Sequence, residues 1–154
     1  VSDVSDGFEK ALWSVAIPGF GQFLNRKYFK GIVLIILEFT INNQSNINTA
    51  IVLSFNGKTA LAVGQTNYQW LMFYPCVYLY AIYDAYRDGT NNKSEMLYIP
   101  FALSAYIGTV GAVYSASFKI AGVLLGPIFC TLLFMVLGFG LGYAVRFLIL
   151  KVKS

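Results

Sequence analysis

Glu38 is the residue of this sequence best placed to do chemistry. It is an acid inside the apolar run Ile32 to Ile41, about 10 Å past Gly31 at 1.5 Å per residue. An ionisable group at that depth in an apolar helix is a functional candidate by default. It could relay protons, or it could sit protonated and hydrogen-bonded to a tyrosine or serine of a neighbouring helix. No second deep acid or base accompanies it, which favours the second role. Asp84 lies one turn before Arg87 and, by length matching, near the level of Arg26 and Lys30, so an ion-pair clamp is expected there. The break at Pro18, Gly19 and Gly21 could bare backbone carbonyls to an ion, as in the broken helices of transporters. That needs a matching second break, and Gly126-Pro127 has no repeat around it, so a kink made for tight packing is the expectation.

Other chemistry has little to work with. The 154 residues contain no histidine and two cysteines, Cys76 and Cys130, each within an apolar run. A zinc site draws four clustered ligands from His, Cys and carboxylates, so no metal is expected, and a disulfide is equally unsupported. Nucleotide motifs, clustered carboxylates and a Ser, His and Asp set are all missing from the sequence. No catalytic residue and no cofactor is expected.

The elements that must hold these residues are hydrophobic. Of all residues 57% are hydrophobic and 12% charged, against about 25% charged in ordinary soluble domains. Nothing charged falls between Lys58 and Asp84, between Glu95 and Lys119, or between Lys119 and Arg146. Each gap can hold the roughly 20 helical residues that cross a bilayer. The fold class expected is an all-α integral membrane protein, a bundle of four or five transmembrane helices.

Within a single membrane domain over 1–154, residues 11–41 read as a kinked helical hairpin. Asp6-Gly7-Phe8-Glu9 supplies a start signal with a capping box, Ala11 to Leu24 is a short first segment, spanning or re-entrant, and 25–31 is a basic turn. Residues 42–69 are a polar outer segment, rich in asparagine, whose stretches Ala50 to Leu53 and Ala60 to Val63 suit short interfacial helices. Trp70 to Tyr86 reads as a span with aromatic ends, and Arg87 to Glu95 as a polar loop in which Gly89 ends one helix and Ser94 caps the next. Two spans follow, Met96 to Ser115 and Ile120 to Leu150, the second kinked at Gly126-Pro127.

Small residues recur every fourth position at Ser104, Gly108, Ala112 and Ala116, and again at Gly122, Gly126 and Cys130, then Gly138 and Gly142. Such stripes let helix backbones approach closely in lipid, where apolar attraction is weak. Packing of the two helices on each other is the plain reading, and a partner protein the other.

Lys and Arg divide unevenly in a five-span model. Arg26, Lys27, Lys30, Arg87, Lys93, Arg146, Lys151 and Lys153 fall on one side, against Lys10, Lys58 and Lys119 on the other. The positive-inside rule places the C-terminus and the 25–30 turn in the cytoplasm. It also accounts for the net charge of +4 without nucleic acid. The chain begins at Val1, so residues 1 to 10 need not be the native start, and its acidic opening lacks the basic region of a signal peptide.

Pro18-Gly19-Phe20-Gly21-Gln22, then Asn25, Tyr28 and Lys30-Gly31, and a later Asp84-Ala85-Tyr86-Arg87, resembles the TM2-like small bacterial membrane proteins. The match covers roughly residues 11–41 and 70–88, interrupted by the polar insertion. The resemblance implies a hairpin core closed by the Asp-Ala-Tyr element, in a family whose bacterial members mostly lack an assigned function. Animal members carry an Asp-Arg-Phe turn where this chain has Asn25-Arg26-Lys27. The function expected is that of a non-enzymatic subunit or scaffold in the cell membrane, packing with another membrane protein or with itself. The alternative is a small transporter or channel using Glu38 and the Pro18–Gly21 break.

Overall fold

The computed structural model describes residues 2–90 and 94–153, and these are all-α apart from one small hairpin. Val1, Ser154 and positions 91–93, Lys93 and part of the expected polar loop among them, lie outside the described residues.

The first helix, α1, runs Ser2–Ala16. Asp6-Gly7-Phe8-Glu9 therefore lies inside it and does not start it. Val4, Phe8, Ala11, Leu12 and Val15 recur at helical spacing straight through that signal, and the continuous apolar stripe overrides the local cap preference. Pro18 then ends the helix by lacking an amide and restricting Ile17. Gly19, at φ 107, reverses the chain, a conformation that glycine adopts without steric cost. Helix α2, Phe20–Leu24, leads back to Asn25, and α3, Tyr28–Ser45, follows. Lys30 and Gly31 thus belong to the first turn of α3, and the basic turn is shorter than expected.

Asn46, at φ 61, breaks α3 from α4, Ile47–Phe55; α5, Thr59–Gln65, and α6, Tyr68–Leu71, complete the asparagine-rich segment. Short helices were expected here. They do more than lie at a surface: Ile47, Ala50, Ala62 and Leu71 form a buried cluster with Ala112 and Ile128. Trp70 falls in α6, so the expected third span starts later, at Tyr74, where Pro75 occupies the first turn of α7, Tyr74–Gly89. Helix α8, Tyr98–Tyr114, begins at Leu97 without a side-chain cap, so Ser94 does not cap it.

The expected fifth helix starts six residues late. Strands β1, Lys119–Ile120, and β2, Val123–Leu124, pair antiparallel across Ala121 and Gly122, both at positive φ, the geometry of a tight hairpin turn. Helix α9 is Gly126–Lys153. Gly126 at φ 70 leads into Pro127, whose missing amide costs nothing in the first turn of a helix. Gly126-Pro127 is therefore a helix start and not a kink.

Four or five long spanning helices do not appear. Among the described residues only α9 is long and apolar enough to cross a membrane by length and composition. Helix α8 is apolar but has 17 residues, and α7 has 16. Helix α3 has 18 but ends in Asn42-Asn43-Gln44-Ser45. Breaks at Asn46 and at Met72-Phe73 cut what the sequence offers as longer runs.

Helices α3, α7, α8 and α9 run alternately up and down. Lys30 faces Asp84 while Glu38 faces Tyr74, Tyr83 packs at a tilt on Phe101 while Cys76 meets Thr109, and Gly142 meets Pro100 while Phe134 meets Gly111. Helix α1 lies antiparallel to α7, with Gly7 against Thr90 at one end and Tyr78 donating to the Val15 carbonyl at 2.9 Å near the other. Helix α2 then returns to the level of Asp84 and Ala85. The first segment thus enters and leaves at one end of the molecule. Lys10, whose stem lies beside Gly89, moves to the end that holds Lys30 and Arg87, a correction to the five-span model.

Candidate functional site

Asp84 is fully buried, 0% exposed, on the face of α7 that also carries Ala81, Ala85 and Asp88. The spacing of three, four and seven puts these on one side of a helix. The two alanines, each 0% exposed, let α2 approach the α7 backbone.

Asp84 Oδ1 accepts from Lys30 Nζ at 2.7 Å and from Arg87 Nη2 at 3.0 Å, and Oδ2 accepts from Gln22 Nε2 at 3.2 Å. Asp88 accepts from the same lysine at 3.3 Å and the same arginine at 3.2 Å. Two cations and two carboxylates thus form one neutral cluster. The hydrogen bond to Asp84 is the largest cause holding the Lys30 ammonium above its ordinary 10.5, against the opposing effect of burial. The ion pair expected between Asp84 and the basic turn is made by Lys30; Arg26, at φ 58 and exposed, takes no part in it.

Gln22 is 0% exposed and uses its whole amide. Nε2 gives its second hydrogen to the Ala81 carbonyl at 2.9 Å, and Oε1 accepts from Ser14 Oγ at 3.3 Å. Asn25 adds a bond to the Ala85 carbonyl at 2.9 Å. Since a buried unpaired polar group costs about 1–3 kcal/mol, this satisfaction is what allows an amide in an apolar interior. Gly21 is required because a side chain there would collide with the Lys10 carbonyl, Ser14 Oγ and the Ala85 methyl. A side chain at Gly19 would meet the Gly31 carbonyl at 2.6 Å, and one at Gly31 the ring of Phe23 at 2.8 Å. Pro18 is fully buried at the turn. Pro18, Gly19, Gly21, Gln22, Lys30, Asp84 and Arg87 therefore meet at one junction of α1, α2, α3 and α7. The break packs Gly19 against Gly31 and Ile35 of α3.

Glu38 lies two turns beyond Lys30, about 12 Å along α3. Tyr74 donates to its Oε1 at 3.1 Å, and its Oε2 is buried without a partner among the described residues. Tyr74 stacks on Tyr78 at 5.6 Å. A signal for these tyrosines was available: with 30 opposite 84 in an antiparallel pair, position 38 falls opposite 76, which Tyr74 and Tyr78 straddle. Asp88 was likewise foreshadowed by its four-residue spacing from Asp84. Ser14 had no such signal, because its contact depends on the reversal at Gly19.

The glycine-striped faces meet each other. A side chain at Gly108 would strike Met135, one at Gly111 would lie 2.5 Å from Phe134, one at Gly138 would lie 2.8 Å from the Ser104 Cα, and one at Gly142 would strike Pro100. Ser104 donates to the Met135 carbonyl at 2.7 Å, and Ala112 is 1% exposed. Gly126 packs on Thr59, and Gly122 sits in the hairpin turn with open space around it; neither belongs to the helix stripe. Among the described residues no three His, Cys, Asp or Glu side chains gather into a metal-binding group. No family model, curated protein or solved structure compared with the chain matches it.

Proposed function

We propose that the chain is a multi-pass membrane protein of the TM2-like kind, serving as a non-enzymatic subunit or scaffold that packs with a partner in a larger membrane assembly. The observation that carries the membrane reading is an inverted distribution of side chains. Ser14, Gln22, Ser45 and Asp84 are 0% exposed, while Phe29, Phe39, Val136 and Phe147 are 68–80% exposed. Water would penalise the exposed large apolar side chains; lipid favours them, and the polar groups pair with one another inside.

In this arrangement α3, α7, α8 and α9 span, and α1–α2 is re-entrant. The shorter helices fit a locally thinned bilayer at modest cost. Among the described residues Lys10, Arg26, Lys27, Lys30, Arg87, Arg146, Lys151 and Lys153 gather at one end, and Lys58 and Lys119 at the other. The positive-inside rule makes the first end cytoplasmic, with the C-terminal tail. The glycine faces are occupied internally, so a partner or a second copy meets the outer faces instead, where Trp13 stacks on Phe20 with both rings about half exposed.

The neutral cluster at Asp84 suits a structural role, because a fully buried carboxylate held by two cations and an amide is closed off from any substrate. The orphaned Glu38 Oε2 favours the second reading, a small transporter or channel. Purification from membranes in mild detergent tests the choice. A stoichiometric partner or a defined homo-oligomer is expected; a lone chain that supports ion or solute flux in liposomes would replace the scaffold with the transporter.

A further inference from the structure

We propose that the groove between α3 and α7 seats one acyl chain of an anionic phospholipid of the cytoplasmic leaflet, with the lipid phosphate held by Arg26 and Lys27. The inference rests on the membrane reading above.

The groove has a volume of about 360 Å³ and is walled by Phe29, Val33 and Leu37 of α3 and by Cys76, Val77 and Tyr80 of α7. It begins beside Lys30 and runs to Leu37, about 10 Å along the helix, which lies within one leaflet of roughly 15 Å of hydrocarbon. Its walls are apolar and it opens sideways, so in a bilayer the groove faces acyl chains.

Charge at its mouth selects the headgroup. Lys30 is engaged by Asp84 and Asp88, and those two acids also neutralise Arg87. Arg26 and Lys27 are exposed and form no ion pair among the described residues. Two uncompensated cations therefore remain one turn below Lys30. The turn that presents them is fixed: Asn25 is bonded to the Ala85 carbonyl, the Arg26 amide donates to the Phe23 carbonyl at 2.9 Å, and the Lys27 amide to the Gln22 carbonyl at 2.8 Å. A backbone ordered beforehand loses little freedom on binding, and a guanidinium beside an ammonium matches a phosphodiester with bidentate and point-charge contacts. Phe29, 80% exposed at the mouth, supplies apolar surface at the glycerol level.

The test is native mass spectrometry of the full chain extracted from nanodiscs of equal phosphatidylglycerol and phosphatidylcholine. The wild-type chain is expected to retain phosphatidylglycerol over phosphatidylcholine, and the preference to fall roughly fivefold for each cation removed in Arg26→Gln, Lys27→Gln and the double variant. Both substitutions are at exposed positions outside the Asp84 cluster, and unchanged helical circular dichroism verifies their folding. Val33→Trp, which fills the groove, is expected to reduce retention of both lipids. Inorganic phosphate at millimolar concentration should not displace the lipid, because it lacks the acyl chain; displacement would assign the site to free phosphate and overturn the proposal. Equal retention of the two lipids by the wild type, or a preference untouched in the double variant, would also overturn it. Failure of the membrane reading is a separate result: the chain would then be recovered from aqueous lysate without detergent.

Discussion

Gln22 Nε2 lies 3.2 Å from Asp84 Oδ2 across 62 positions of sequence. That contact ties the turn-back of the first segment to the helix that carries the ion cluster. Because the amide also bonds Ala81 and Ser14, it is held in one orientation, and α2 can sit only where Gly21 allows. The junction therefore behaves as a unit in which a carboxylate, an amide and two glycines depend on one another.

Asp84→Ala is expected to destabilise the protein by about 3–5 kcal/mol, the range for breaking a buried charged network by removing one partner. Asp84→Asn keeps an acceptor but leaves Lys30 and Arg87 with Asp88 alone, so its loss should be smaller. Thermal unfolding in detergent, followed by circular dichroism, measures both; wild-type stability in Asp84→Ala would show that the cluster is not a clamp.

The Lys30 ammonium is held above its ordinary 10.5 chiefly by its hydrogen bond to Asp84. Lys30 lies at the water-facing end of α3, outside the apolar span that begins at Gly31, and the groups facing it are Asp84, Asp88 and, through them, Arg87. A folded-state value raised above the unfolded one means that its stabilisation is complete below the ordinary lysine value and is lost as pH rises through the raised one. Melting temperature should therefore show no contribution from Lys30 titration through neutral pH and decline in the strongly alkaline range. Lys30→Arg, whose guanidinium stays charged, should lose less there. Equal alkaline losses in the two proteins would exclude Lys30 as the source.

Gly21→Val and Gly138→Leu should each prevent assembly of the native bundle, since both place atoms against backbone rather than against a flexible side-chain end. Overpacking costs about 1–3 kcal/mol or more, and backbone contacts cannot relax by rotamer change. Gly122→Ala, with open space around it, should be milder, its cost limited to the positive φ. The readout is the fraction of monodisperse protein after detergent extraction; a well-folded Gly138→Leu that merely loses a partner would return the α9 stripe to an external role.

Glu38→Gln keeps a carbonyl oxygen for the Tyr74 hydroxyl and should alter stability by less than about 0.5–1 kcal/mol, whereas Glu38→Leu loses the bond. Under the scaffold reading the Gln variant retains its partner. Abolition of a pH-gradient-driven flux in liposomes by Glu38→Gln would make Glu38 a transport residue instead.

The sequence made some of this junction legible. Asp84 could be set near the level of Arg26 and Lys30 because it lies at the end of its helix, on the side where the basic turn falls. Glu38 announced a hydroxyl partner because a lone acid in an apolar helix needs one. The small-residue faces of α8 and α9 stood out as four-residue stripes, while the register in which they meet did not. Other features depended on tertiary packing. Asp6 and Ser94 are good caps in isolation, yet an apolar stripe carries α1 through the first, and the second lies near Arg146, which donates to its hydroxyl. The hairpin at 119–124 hides in a short, largely apolar stretch that reads equally as helix, and only Ala121-Gly122 at positive φ distinguishes it. The side on which Lys10 lies turned on whether Gly19 reverses the chain, which residue types alone leave open.

Labelling of single cysteines tests the central claim most directly. In a Cys76→Ser, Cys130→Ser background, Val4→Cys, Lys27→Cys and Lys58→Cys are reacted with a membrane-impermeant maleimide in inverted and in right-side-out vesicles. A re-entrant first segment predicts that positions 4 and 27 label together from the cytoplasmic face and that position 58 labels from the opposite face. Labelling of position 4 together with position 58, away from position 27, would make the first segment a full span and contradict the account.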